Sequence, residues 1–98
     1  MFEWDDEKSD TNLRERGFDF AYAARVFETP VLEMDDTRAD YGERRIQTIG
    51  QIDGDFLFVV YTWRKDVRRI ISARPANRKE RDIYGKIFGR SDPHERPR

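Results

Sequence analysis

Polar and apolar positions alternate most clearly in the middle of the chain. From Arg44 to Ile52 the two kinds of residue roughly take turns, Asp53-Gly54 supplies the dipeptide of a tight type I′ turn, and FLFVVYTW (residues 56–63) runs as a continuous β-prone stretch. A further strand over 67–74 follows Lys65-Asp66, and the short connection implies an antiparallel neighbour. Because FLFVVYTW is apolar on both faces, it is expected in the centre, between its two hairpin partners, with helices over at least one side.

Helical patterns flank this sheet. Met1–Trp4 reads as a brief strand, Asp5 and Asp6 offer N-caps for a helix through Arg14, and Gly17 stops it. In FDFAYAARVFETP, Phe18, Ala21, Ala24 or Arg25, and Phe27 recur at helical spacing between a capping Asp19 and Pro30, so the two segments predict a helix hairpin. VLEMDD (31–36) suits a short strand and DTRADYGE a turn. Pro75 breaks the sheet pattern, Asn77 caps, and Arg78–Phe88 predicts a last helix with Ile83, Ile87 and Phe88 inward. The polar GRSDPHERPR is expected to fray. The sum is an α+β domain over 1–88, an antiparallel sheet with an N-terminal helix pair and a C-terminal helix, and a tail over 89–98. With 98 residues there is room for one modest core.

Charge changes this picture more than composition does. Of all residues 40% are charged, yet the net charge is only −1. Residues 1–42 hold 12 acidic and 5 basic side chains, net −7; residues 43–98 hold 8 acidic and 14 basic, net +6. Between Arg64 and Arg81 eight basic residues face only Asp66 and Glu80. Such a division suits one half to a polyanion and the other to water or a basic partner. The absence of cysteine excludes disulfides, thiolate metal sites and cysteine nucleophiles. The acidic N-terminus and the lack of an apolar run near ~20 residues point to a cytoplasmic chain without a membrane segment.

The only histidine, His94, sits in the tail, which argues against a histidine acid/base pair or triad. Neither a P-loop nor GxGxxG occurs. Asp5, Asp6, Glu7 and Asp10, and again Asp35, Asp36 and Asp40, have a composition for hard cations, but acidic helix starts offset the macrodipole and acidic turns are ordinarily solvated. The basic cluster is better organised. A regular hairpin closed by Lys65-Asp66 would put Arg64 and Arg69 on one face with Val60 and Ile71, and Arg68 and Arg74 on the other with Trp63 and Tyr61. Arg78, Lys79 and Arg81 in a first helical turn suit phosphate, and Trp63, Tyr61 and Tyr84 near arginines suit base stacking. Arginine stems covering a sheet edge would account for the same pattern.

FEWDDEKSDTNLRERGFDFAYAARVF, DYGERRIQTIGQIDGDFLFVVYTWR and RIISARPANRKERDIY, in this order, resemble the BrnT family of bacterial toxins over residues 2–84. The resemblance implies a RelE-like ribonuclease fold and an endoribonuclease that blocks translation without a metal or other cofactor. It also implies a ribbon-helix-helix antitoxin of the BrnA type, which carries the complex to operator DNA. On this resemblance Arg64, Arg74 and Arg78 are the catalytic positions, with Arg64 and Arg74 on the reacting phosphate. From their charge and aromatic rings, Arg68, Arg69, Lys79, Arg81, Trp63 and Tyr84 are expected to bind RNA around them. Two departures stand out: the family commonly reads KHG at Glu15-Arg16-Gly17 and ARKAT at 73–77, where this chain has Arg16 and Pro75. A second reading is a catalytically weak module that docks an antitoxin in an autoregulatory DNA-binding complex.

Overall fold

The computed structural model describes residues 1–89. Its elements run β1 (Phe2–Trp4), α1 (Asp6–Arg16), α2 (Phe20–Ala24) continued by a 3₁₀ turn (Arg25–Glu28), β2 (Leu32–Asp35), β3 (Ile46–Ile52), β4 (Asp55–Arg64), β5 (Val67–Pro75) and α3 (Arg78–Phe88). The tail expected beyond Gly89, with His94, lies outside the described residues. The five strands form one sheet in the order β1-β5-β4-β3-β2. All its pairings are antiparallel except β1 with β5. The architecture is the expected α+β one, with β4 between its two hairpin partners.

Local chemistry explains the boundaries. The Asp5 carboxylate accepts from the Glu7 and Lys8 amides to start α1, and Gly17, at φ +84°, ends it with a left-handed cap that a side chain would resist. At α3 the Asn77 side chain accepts from the Glu80 amide while the Glu80 carboxylate accepts from the Asn77 amide, a reciprocal capping box. The β3–β4 turn has positive φ at both Asp53 and Gly54, as a type I′ turn needs. The second helix is shorter than its pattern suggests, because after Ala24 the chain tightens into the 3₁₀ turn.

Two apolar layers lie on opposite faces of the sheet. On one, Phe20, Ala23 and Val26 pack on Leu57, Val59, Ile70 and Ala73. Gly50 permits the close approach of the 3₁₀ turn: a Cβ there would stand 2.8 Å from Val26 Cβ. On the other, Tyr84 and Ala76 pack on Ile49, Phe56, Phe58 and Val60. Helix α3 turns Tyr84 and Phe88 inward and leaves Ile87 56% exposed, so its buried stripe is rotated from the expected Ile83–Ile87 one. The Tyr84 hydroxyl donates to Pro30 O, which accounts for a fully buried phenol.

Candidate functional site

A single irregularity decides where the arginines point. The β4–β5 register runs Trp63↔Arg68, Thr62↔Arg69, Tyr61↔Ile70, and then resumes at Val60↔Ser72, Val59↔Ala73 and Phe58↔Arg74. Ile71 is the extra residue of a β-bulge. Directly paired residues share a face. Arg68 therefore lies with Trp63 on the α1/α2 face, and Arg74 lies with Phe58 on the α3 face. The expectation that Arg68 and Arg74 share a face is thus overturned, because it assumed unbroken alternation. Arg64 and Arg69 do share the face of Val60, and Arg74 joins them there.

On this face Arg74 is held as a fork. Its two terminal nitrogens donate to the two Glu80 carboxylate oxygens at 2.8 and 2.9 Å, one of them also reaches Pro75 O at 3.1 Å, and the guanidinium stacks on Phe58 with its carbon 4.0 Å from the ring centroid. Burial would raise the Glu80 pKa, but Arg74 and the Asn77 amide outweigh it and hold the carboxyl below its ordinary value. Arg38 approaches the same ring, 6.0 Å from its centroid. Its Nε and Nη2 bind the two Asp36 oxygens at 2.8 and 2.7 Å, and Gln47 donates to the same carboxylate. These bonds hold Asp36 well below the usual carboxylate range even though its side chain is only 1% exposed. Asp36 is therefore no solvated turn residue. Two guanidiniums flank Phe58, each aligned by a carboxylate, and Tyr41 lies beside Arg38.

The remaining predicted residues are dispersed. Arg64 lies six residues along β4 from the partner of Arg74, about 20 Å at ~3.3 Å per residue, and is turned toward Glu43 at 4.0 Å. Arg64 and Arg74 thus do not meet on one phosphate. Arg69 pairs with Glu3 at 2.8 Å. Arg78 and Lys79 are exposed on the first turn of α3, on the same side of the molecule as Arg74. Arg68 is enclosed by the rings of Phe2, Phe27, Tyr61 and Trp63, at 4.4 to 6.0 Å from their centroids. Trp63 is 46% exposed. Tyr84, expected as a stacking surface, is wholly buried and has no face to offer a base.

A cleft of about 590 Å³ opens where the end of α1, the β3–β4 turn and the β5–α3 junction meet. Arg16 and Arg81 line it, together with Phe18, Phe56, Asp19 and Asp55. Arg16 Nη1 is tied to Ala73 O at 2.7 Å, and the Tyr22 hydroxyl donates to Asp55 at 2.7 Å. Burial, then Asp55, push the Tyr22 pKa up to about 12.

Arg38 and the cleft escaped sequence reasoning. The turn composition of DTRADYGE hid the first, and only Arg16, at a point of departure from the family pattern, hinted at the second. No group of three or more His, Asp or Glu among the described residues is arranged to hold a metal ion. No helix among them is long and apolar enough to cross a membrane. No curated protein matches the chain. A family model described as the ribonuclease toxin, BrnT, of type II toxin-antitoxin systems matches residues 4–80.

Proposed function

The chain belongs to the BrnT family of ribonuclease toxins of type II toxin-antitoxin systems, and on that premise we propose that it cuts RNA internally, without a metal ion, through arginines of the α3 face. An RNA substrate and an antitoxin partner follow from the family; a ribbon-helix-helix antitoxin of the BrnA type, operator DNA bound through it and action in the cytoplasm complete the reading.

The observation that carries the proposal is the pair of aligned guanidiniums on Phe58. The substrate's 2′-hydroxyl gives its proton to water as its oxygen attacks the adjacent phosphodiester; a P–O bond forms to that oxygen, the bond to the 5′-oxygen breaks, and the departing 5′-oxygen takes a proton from water. Charge builds on the non-bridging oxygens in between. Fixed guanidiniums suit this step because their donors need no reorganisation as the charge grows. Three of the five N–H donors of Arg74 are used by Glu80 and Pro75, which leaves two for a phosphate. In this reading Arg74 and Arg38 meet the reacting phosphate, Arg78 and Lys79 hold the neighbouring backbone, and Arg64 and Arg69 contact phosphates farther along. Arg68 and Trp63, on the opposite face, serve a different contact from the reacting one.

The test uses folded, antitoxin-free protein with RNA in chelator. Wild type is expected to leave 2′,3′-cyclic phosphate ends. Arg74→Ala is expected to lower kcat by about 10²-fold, as for loss of one transition-state donor. Arg64→Ala is expected to raise KM with little change in kcat, as for uniform binding. A folded wild type that cleaves nothing refutes the proposal and leaves the second reading, a docking module, in its place. Equal kcat losses in Arg64→Ala and Arg74→Ala refute the division of roles.

A further inference from the structure

The reading above leaves the cleft beside α3 unused, although its lining is chemically mixed in a particular way. We propose that this cleft is a nucleotide subsite, receiving one nucleotide of the RNA next to the cut and so setting base preference; the inference rests on the reading of the chain as an RNA-cutting enzyme.

Its volume, about 590 Å³, lies in the range of small-molecule sites, ~300–1,000 Å³. Leu13, Phe18 and Pro75 give it apolar surface, Arg16 and Arg81 supply guanidiniums, and Asp19 and Asp55 supply carboxylates. A bare anion needs no apolar floor and is repelled by the carboxylates, whereas a purely apolar ligand has no use for either charge. A nucleotide uses all three: the base lies on the apolar surface, its exocyclic amino groups or the ribose hydroxyls donate to carboxylates, and the phosphate takes the guanidiniums.

Two groups in the cleft are already oriented. Arg16 is tied by Nη1 to the backbone of β5 and to Asn12, which fixes its plane. Asp55 accepts from the Tyr22 hydroxyl on Oδ2, which leaves Oδ1 for a second donor. Because Tyr22 stays protonated up to about pH 12, this bond persists across the physiological range.

The cleft is also continuous with the arginine face. Arg74 lies on that face, the next residues Pro75 and Ala76 form the rim, Arg78 and Lys79 are exposed on the first turn of α3, and Arg81, one turn farther, lines the cleft. A strand leaving Arg74 therefore passes cations all the way into it.

The experiment titrates the four 5′-ribonucleoside monophosphates into the full chain and follows backbone amides by NMR. Saturable shifts are expected at Gly17, Gly54 and Ala76, with affinities that differ several-fold among the bases and fall about tenfold in Arg16→Ala. In parallel, cut sites on a mixed-sequence RNA are mapped for wild type and Phe18→Leu; the ratio of cutting among bases at one flanking position is expected to change. Absence of shifts at the cleft amides with all four nucleotides, equal affinity for all of them, or an unchanged cutting ratio each overturns the subsite. If the nucleotides shift the cleft amides but wild type cuts no RNA, the subsite stands as a nucleotide site and the nuclease reading falls.

Discussion

Replacing Asp36 by Asn removes one charge from an otherwise isosteric side chain that is only 1% exposed and forked to Arg38. Loss of a partner from a fully buried pair costs ~3–5 kcal/mol, chiefly because the remaining charge is stranded. Here that remaining charge is Arg38, 58% exposed and able to turn to water. The cost thus reduces to that of a charge-assisted pair of hydrogen bonds, about 2 kcal/mol, equivalent to on the order of 10 °C in Tm for a domain of this size. The native carboxyl sits below its ordinary 3.8, so as pH falls the unfolded chain takes up the proton first. The stabilisation is whole above that value and is lost as pH drops through the native pKa. Urea unfolding of wild type and Asp36→Asn at pH 7 and at steps below pH 4 should give a gap of about 2 kcal/mol that narrows with acid at an unchanged m value. The same substitution frees Arg38, so RNA cleavage at pH 7 should slow. A variant as stable as wild type at pH 7, or a gap that does not narrow, would refute the assignment of Asp36 as a buried anion that aligns Arg38.

Three further outcomes are expected. Gly50→Ala forces a Cβ to 2.8 Å from Val26 and should cost about 1–3 kcal/mol in thermal or urea unfolding; a neutral result would mean the 3₁₀ turn yields freely. Glu80→Gln should cost about 1–2 kcal/mol at pH 7 by weakening the Arg74 fork, and since the native Glu80 pKa lies below 4.5, the difference from wild type should fade as pH falls below that value. Tyr22 holds its proton to about 12 while an unfolded tyrosine releases it near 10, so wild-type stability should decline between these values, and Tyr22→Phe should flatten part of that decline.

The strands, turns and caps were legible because each has a local chemical cause. Asp53-Gly54 makes the turn, Asn77 with Glu80 makes the capping box, and FLFVVYTW, apolar on both faces, has to be central. The parallel pairing of Phe2–Trp4 with Arg68–Ile70 was not legible, since three residues carry too little pattern to choose a partner so distant in sequence. The inward face of α3 was read only in part, Phe88 correctly but Ile87 not, because Ile83–Ile87 and Tyr84–Phe88 are both i, i+4 pairs, and only the sheet beneath decides between them. The site fared similarly. The basic residues at 64–81 were visible as a cluster, but whether they converge depends on strand length and on the bulge. Arg38 was invisible because an ion pair to a buried carboxylate and a solvated turn have the same composition.

The extra residue at Ile71 makes the arrangement of β5 a matter of parity. From Val67 to Ile70 one face takes the even positions, and from Ala73 onward it takes the odd ones. Deleting Ile71 itself would let the hairpin zip without a break, since Ser72, Ala73 and Arg74 already face Val60, Val59 and Phe58. A deletion elsewhere between Ile70 and the Lys65-Asp66 turn, with the bulge kept, would instead set Ala73 against the arginine face and drive Arg74 into the apolar layer beneath α1 and α2. Relatives of this chain should therefore tolerate the loss of the bulged residue itself, whereas away from it, with the bulge kept, two residues of β5 should come or go together.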